Sequence, residues 1–255
     1  MGFLLSRRWL GFFLAVAVLA VVAWRLGVWQ FHRLDERRSE NRTIVTNLAA
    51  APLPADEVLP VGRALPEADE WRRVTITGRW DDRHTVVLKY QTRKENPGVD
   101  VVTPLVTSSG RAVVVDRGWM VTQNNGQERP RTPTATTGQV TVTGYARVDA
   151  TGGAATVHDL QTRALSSLEI GRATGHRVYR GFVMLTDQAP TPAVHLRGPE
   201  LPAINDGPHF FYGLQWWFFA LLAVGGFCYL AWDELRQRRA TRPSEERERA
   251  GAEVG

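Results

Sequence analysis

From Pro208 to Trp232 the chain reads PHFFYGLQWWFFALLAVGGFCYLAW, with no formal charge between His209 and Trp232. An α-helix rises about 1.5 Å per residue, so a stretch of this length crosses a bilayer core of about 30 Å. A second apolar run, Trp9 to Val28, does the same near the other end. Two such spans leave the intervening loop as the place for a water-facing domain. The expected layout is residues 1–8 as an N-terminal flank, 9–28 as the first transmembrane helix, 29–208 as a β-rich domain, 209–232 as the second transmembrane helix and 233–255 as a basic, disordered tail. Mean hydropathy over the whole chain is mildly negative and conceals both spans.

The first run is longer than a signal-peptide core and lacks a clear small-residue cleavage site, so it reads as a retained anchor; Ala20-Val21-Val22-Ala23 is the alternative. Orientation comes from the second span. Arg236, Arg238, Arg239 and Arg242 follow it, whereas Arg197 stands alone between Pro190 and Pro208. Positive flanks stay inside, which puts both termini in the cytoplasm and the loop outside. Arginine is abundant while lysine occurs only at Lys89 and Lys94, a bias of GC-rich bacterial genomes, so the expected location is a bacterial plasma membrane.

The net charge of +5 is concentrated beside the spans, which fits a lipid bilayer and not nucleic acid. The sole cysteine, Cys228, lies inside the second span, so the loop has no internal disulfide and no paired-cysteine metal motif. Met120 and Met184 are too few for a methionine-rich copper site. Without GxSxG, HExxH, P-loop or GxGxxG signatures, no enzyme is expected.

Inside the loop, Ala49 to Pro66 is proline-rich and reads as a linker. From Trp71 the period becomes two: Val74, Ile76 and Trp80 alternate with Thr75 and Thr77, and His84 to Tyr90 follows across an Asp81-Asp82 turn as a hairpin. Further strands are expected at Val99–Thr107, Arg111–Val121, Gln139–Arg147 and Arg177–Asp187, forming a mainly antiparallel barrel or sandwich. Ser166-Ser167-Leu168-Glu169 has the spacing of a capping box and Gly175 a stop, which predicts one short helix between them. The related VTITG and VTVTG segments at 74–78 and 140–144 read as two half-buried strands, with duplication the alternative. Asp81, Asp82 and Asp116 read as turn and strand-end carboxylates. His84, His158, His176 and His195 show no metal-ligand spacing.

His209 opens the second span, and helical spacing puts Tyr212 and Trp216 on its face with Gly213 and Ala220 beside them. Small residues next to aromatic ones admit a flat ligand or another helix. One reading is an interfacial aromatic belt, to which Trp29 also conforms. The other is that neutral His209 ligates the iron of a lipid-buried haem, with Arg33 or Arg37 near the propionates.

Leu26-Gly27-x-Trp29-Gln30-x-x-Arg33, Arg79-Trp80, Asp116-Arg117-Gly118-Trp119 and His209-x-x-Tyr212-x-x-x-Trp216, in that order and on those two spans, resemble the surfeit-locus protein 1 family over residues 20 to 232. The resemblance implies an assembly factor for haem-copper cytochrome c oxidase of the aa3 type, which assists haem a insertion or stabilises the catalytic subunit. It implies transient haem a as cofactor with His209 as the metal ligand. It also implies the oxidase catalytic subunit and the haem a synthesis machinery as partners. Tyr212, Trp216, Trp29, Arg33 and Arg37 complete the expected site, set in a cleft between the two spans. The alternative is a structural membrane partner of the oxidase that binds no haem. Asp116 stands where the family usually has asparagine, and Arg37 where it has lysine after the first motif.

Overall fold

The computed structural model describes residues 6–252, with side chains to Arg238, so the ends of the expected N-terminal flank and tail lie outside the described residues. Two long helices, α1 (Arg7–Ala49) and α4 (His209–Ala252), enclose in sequence the strands β1 (Leu53–Pro54), β2 (Arg73–Trp80), β3 (Val86–Leu88), β4 (Gly98–Thr107), β5 (Ala112–Val121), β6 (Gln139–Arg147), β7 (Gln161–Thr162) and β8 (Val178–Ala189), with short helices α2 (Ala55–Val58) and α3 (Ser167–Thr174). They form two compact units: residues up to Glu40 together with those from Ile204 onward, and Asn41–Ala203.

In the helical unit α1 and α4 run antiparallel, because contacts that climb one helix descend the other. Phe227 meets Trp9, Phe12 and Phe13, Trp217 stacks on Trp24 at 5.1 Å between centroids, and Phe210 meets Phe31. Glycines allow the close approach: a Cβ on Gly27 would collide with the Trp217 ring, and one on Gly213 would lie 2.7 Å from Phe31. The other faces stay apolar and exposed, as at Leu14, Leu19, Phe211 and Leu221. Both helices are long and apolar enough to cross a membrane. Past the first span, α1 continues through a polar stretch supported by Arg33–Glu36 and Arg37–Glu40 pairs one turn apart. Beyond Trp232, where a disordered tail was expected, α4 remains helical, starting with Arg238–Glu234 and Gln237–Asp233 contacts of i,i+4 spacing.

The second unit is one sheet in the order β1-β2-β6-β8-β5-β4-β3-β7 with a further β2–β4 pairing, so the hydrogen bonds trace a closed circuit β2-β6-β8-β5-β4. The sheet is mixed and not simply antiparallel: β5–β8, β1–β2 and β3–β7 run parallel. The expected β2–β3 hairpin does not form. A 3-10 turn, Asp82–His84, redirects the chain so that β2 pairs with β4 and β6, and β3 with β4 and β7. The VTITG and VTVTG segments are each other's antiparallel partners, with Ile76 opposite Val142 and Thr77 hydrogen-bonded to Thr141. Gly78 and Gly144 sit where a Cβ would press on the backbone of β4 and β8.

Val74, Ile76, Leu105, Val113, Val115, Val140, Val142 and Val183 form one core. On the other face of β5, Val114 joins Val86, Val102, Leu165, Ile170 and Phe182 in a second. Strand β5 is therefore buried on both faces, which is why Ala112 to Val115 lack a period of two. The proline-rich stretch expected to be a linker is part of the first core: it folds into β1 and α2 and buries Ala55, Leu59 and Leu65. Helix α3 ends at Gly175 in the left-handed conformation, as its sequence predicts. Its start departs from the expected box: Ser166 makes no side-chain cap, and the Asp149 carboxylate accepts from both the Ser167 N–H (2.6 Å) and its hydroxyl (2.7 Å).

Candidate functional site at the paired helix ends

His209 is the first residue of α4 and is half-buried. Its Nδ1 lies 2.9 Å from Gln30 Oε1, a pair that forms a hydrogen bond when the ring is in its Nδ1–H tautomer. In that tautomer Nε2 presents a lone pair, the state a metal ligand requires. Gln30 belongs to the motif after the first span but was not among the expected site residues. A side-chain partner 179 positions away has no local sequence signal.

Helical spacing arranges the remaining residues around this contact. Arg33 and Arg37 follow Gln30 by three and seven positions, and Trp29 lies one turn before Arg33. Tyr212 and Trp216 follow His209 by three and seven. Gln30 and His209 touch, and because the helices are antiparallel Arg33 and Arg37 follow on one side of that contact and Tyr212 and Trp216 on the other. Trp29 and Tyr212 are exposed, and Trp216 packs edge-on against Phe219. The Arg33 and Arg37 ion pairs are exposed, a class worth at most about 1 kcal/mol, so either guanidinium can exchange its partner. An Arg38–Asp206 pair at 2.9 Å ties the same helix ends together.

Of what a haem needs, a nitrogen donor, cations and aromatic faces are present around the His209 contact. The expected cleft between the helices is filled: Phe31 occupies the space beside Gly213 and Trp217 that beside Gly27.

The Asp116-Arg117-Gly118-Trp119 segment lies on β5 within the sheet unit and braces its loops. Arg117, buried, donates to the carbonyls of Pro133 (3.1 Å) and Thr134 (3.4 Å); burial lowers its pKa while Asp82 counteracts this. Gly118 has φ of +124°, and a Cβ there would lie 2.7 Å from the Arg197 carbonyl. Trp119 exchanges backbone hydrogen bonds with Arg197, donates its indole N–H to Gln91 O (2.6 Å), and lies within cation–π reach of Arg93 and Arg197. Arg93 also donates to Gly198 O and to Asp100. Burial pushes the Asp116 carboxyl up to about 8, with the Asp100 charge adding to it against the Gly118 N–H, Arg93 and Arg147. Asp116 is thus protonated at neutral pH. Asp100 is raised to about 6, again by burial first, with Arg93 opposing and Glu200 adding.

The histidines read as scattered are not all so: His84 and His176 both contact Asp81. Residues 84 and 176 meet only because β2, the 3-10 turn and the α3–β8 junction converge, which spacing along the chain does not reveal.

A model of the SURF1 family matches residues 17–221. An uncharacterized SURF1-like protein of Mycobacterium bovis is 29% identical over 258 residues, covering 99% of this chain and 91% of that protein, and one of Mycobacterium tuberculosis (strain ATCC 25618 / H37Rv) has the same values. A SURF1-like protein of Rickettsia felis is 29% identical over 114 residues, 44% of this chain and 47% of that protein. The family match covers both helix ends that meet at His209 and the whole sheet between them, and the chain belongs to the SURF1 family.

Proposed function

We propose that the protein is a non-catalytic assembly factor for an aa3-type haem-copper cytochrome c oxidase, holding haem a at His209 while the catalytic subunit is built. Membership of the SURF1 family, known for oxidase assembly, supports the process. The observation that supports the ligand assignment is the His209–Gln30 contact, which is satisfied by the tautomer that leaves Nε2 its lone pair. When bound, haem a supplies the redox iron that the oxidase needs. Gln30 holds the imidazole in orientation, Arg33 and Arg37 offer cations to the propionates, and Trp29, Tyr212 and Trp216 give apolar surface that excludes water. The two helices cross a bacterial plasma membrane with both termini inside. The strand circuit is a small extracytoplasmic barrel that docks the oxidase catalytic subunit and receives haem from its synthesis machinery.

A second reading, a structural partner of the oxidase that binds no haem, is favoured by the filled interhelical space beside Gly27 and Gly213. Deleting the chain and recording reduced-minus-oxidised spectra of membranes tests the assembly role: a selective fall in the haem a signal is expected, and an unchanged spectrum refutes it. Haem retention by the purified protein separates the two readings.

A further inference from the structure

In the sheet unit, three side chains without an assigned role converge as potential metal donors. Asp81 follows β2 and is fixed by its N–H on Pro104 O of β4 (2.9 Å). His84 closes the 3-10 turn through its N–H on Asp81 O, and His176 stands between Gly175 and β8 with its N–H on Gly171 O. Two separately anchored segments, Asp81–His84 and the residues at His176, thus bring three side chains to one point. Asp81 Oδ2 is 2.6 Å from His84 Nδ1 and 2.9 Å from His176 Nε2, and all three donor atoms lie within 4.8 Å of one another. The imidazole planes stand at 88°, so the two nitrogens approach the shared oxygen from different directions.

We propose that Asp81, His84 and His176 form a binding site for a divalent transition-metal ion, with Zn²⁺ the best match to the donors. Two imidazole nitrogens and one carboxylate oxygen are a borderline N/N/O set, suited to Zn²⁺ and poor for Ca²⁺ or Mg²⁺, which take all-oxygen shells. Ligand bonds of about 2.0–2.2 Å place neighbouring donors of a tetrahedral ion roughly 3.3 Å apart. Small side-chain rotations therefore open the hydrogen-bonded triad to admit the ion, the two imidazoles binding through their lone pairs. His84 is partly exposed, which leaves the fourth position to water. Neighbouring groups are already engaged: Asp82 Oδ1 accepts from Ala135 N and Thr85 Oγ1 and faces Arg117 at 3.6 Å, so it does not compete for the ion. A bound ion would clamp the end of β2 to the α3–β8 junction.

The test is a Zn²⁺ titration of the full chain in detergent micelles, purified without a polyhistidine tag, in competition with a chromophoric chelator. One ion per chain with micromolar or tighter affinity is expected. His84→Asn, His176→Asn and Asp81→Asn should each weaken it at least ten-fold, while His158→Asn and His195→Asn leave it within two-fold. Zn²⁺ should also raise the thermal midpoint of the wild type and not that of His84→Asn, a partly exposed substitution that preserves the fold. Absence of saturable binding, or wild-type affinity in the His84 and His176 variants, overturns the site.

Discussion

Asp116→Asn replaces a buried carboxyl, pushed up to about 8, with an amide of the same shape that cannot ionise. The Gly118 N–H that Asp116 Oδ1 accepts at 2.9 Å remains satisfied by the amide oxygen. The sign follows from linkage. An ordinary carboxyl near 3.8 has released its proton in the unfolded chain well below neutrality, while the folded chain keeps it to about 8. The folded state thus binds the extra proton, and stability falls as pH rises between those two values. Asp100, at about 6, adds to the same decline below that pH, so the interval from pH 6 to 8 isolates Asp116. At about 1.4 kcal/mol per pH unit, tapering as pH nears the folded value, the wild type loses roughly 2 kcal/mol there through this group. For a chain of this size that is on the order of 4–8 °C in thermal midpoint. The assay is thermal unfolding of the full chain in detergent at both pH values, followed by far-UV circular dichroism. Histidine titration is common to both proteins and cancels in the comparison. Asp116→Asn, which carries no such cost, should exceed the wild type already at pH 6 and by that further margin at pH 8; equal pH slopes in the two proteins would refute the buried, protonated aspartic acid.

Ile170→Ala removes a fully buried side chain that seats α3 on the second core, and should cost about 2–5 kcal/mol, read as a lower denaturation midpoint with unchanged slope. Asp149→Ala leaves the Ser167, Arg180 and Gly181 donors without their shared carboxylate and should cost about 3 kcal/mol or more, whereas Ser166→Ala, which removes no cap, should cost less than about 0.5. Gly213→Leu drives a side chain into Phe31 and should destabilise the helix pair by about 1–3 kcal/mol, with partial recovery in the Gly213→Leu/Phe31→Ala double variant.

The two long apolar helices were legible because runs of about twenty mostly apolar residues have few other fates, and β6 was legible to its ends because one face is buried and the other wet. The period of two fails where both faces are covered: β3 has shrunk to Val86–Leu88, and its hairpin with β2 gave way to pairing across the sheet. Single hydrophobic residues such as Leu59 and Leu65 carry no period at all, so a segment that contributes to the core read as a linker. The α3 start was placed correctly for an incorrect reason, since Asp149 outcompetes the local serine for the helix N-terminus. At the helix ends, residue type and spacing pointed to His209, Tyr212 and Trp216. That Phe31 occupies the gap beside Gly213, and that Gln30 meets the imidazole, depend on how two helices distant in sequence align, which the sequence of either one does not encode.

The most direct measurement is the Soret absorbance of the full chain purified from cells that also make haem a. With His209 as axial ligand held by Gln30, the wild type should carry haem, His209→Ala should lose the band, and Gln30→Leu should reduce retention on the order of ten-fold. An undiminished Soret band in His209→Ala would contradict the ligand assignment, and a wild type that never acquires one would leave the protein as a structural partner of the oxidase.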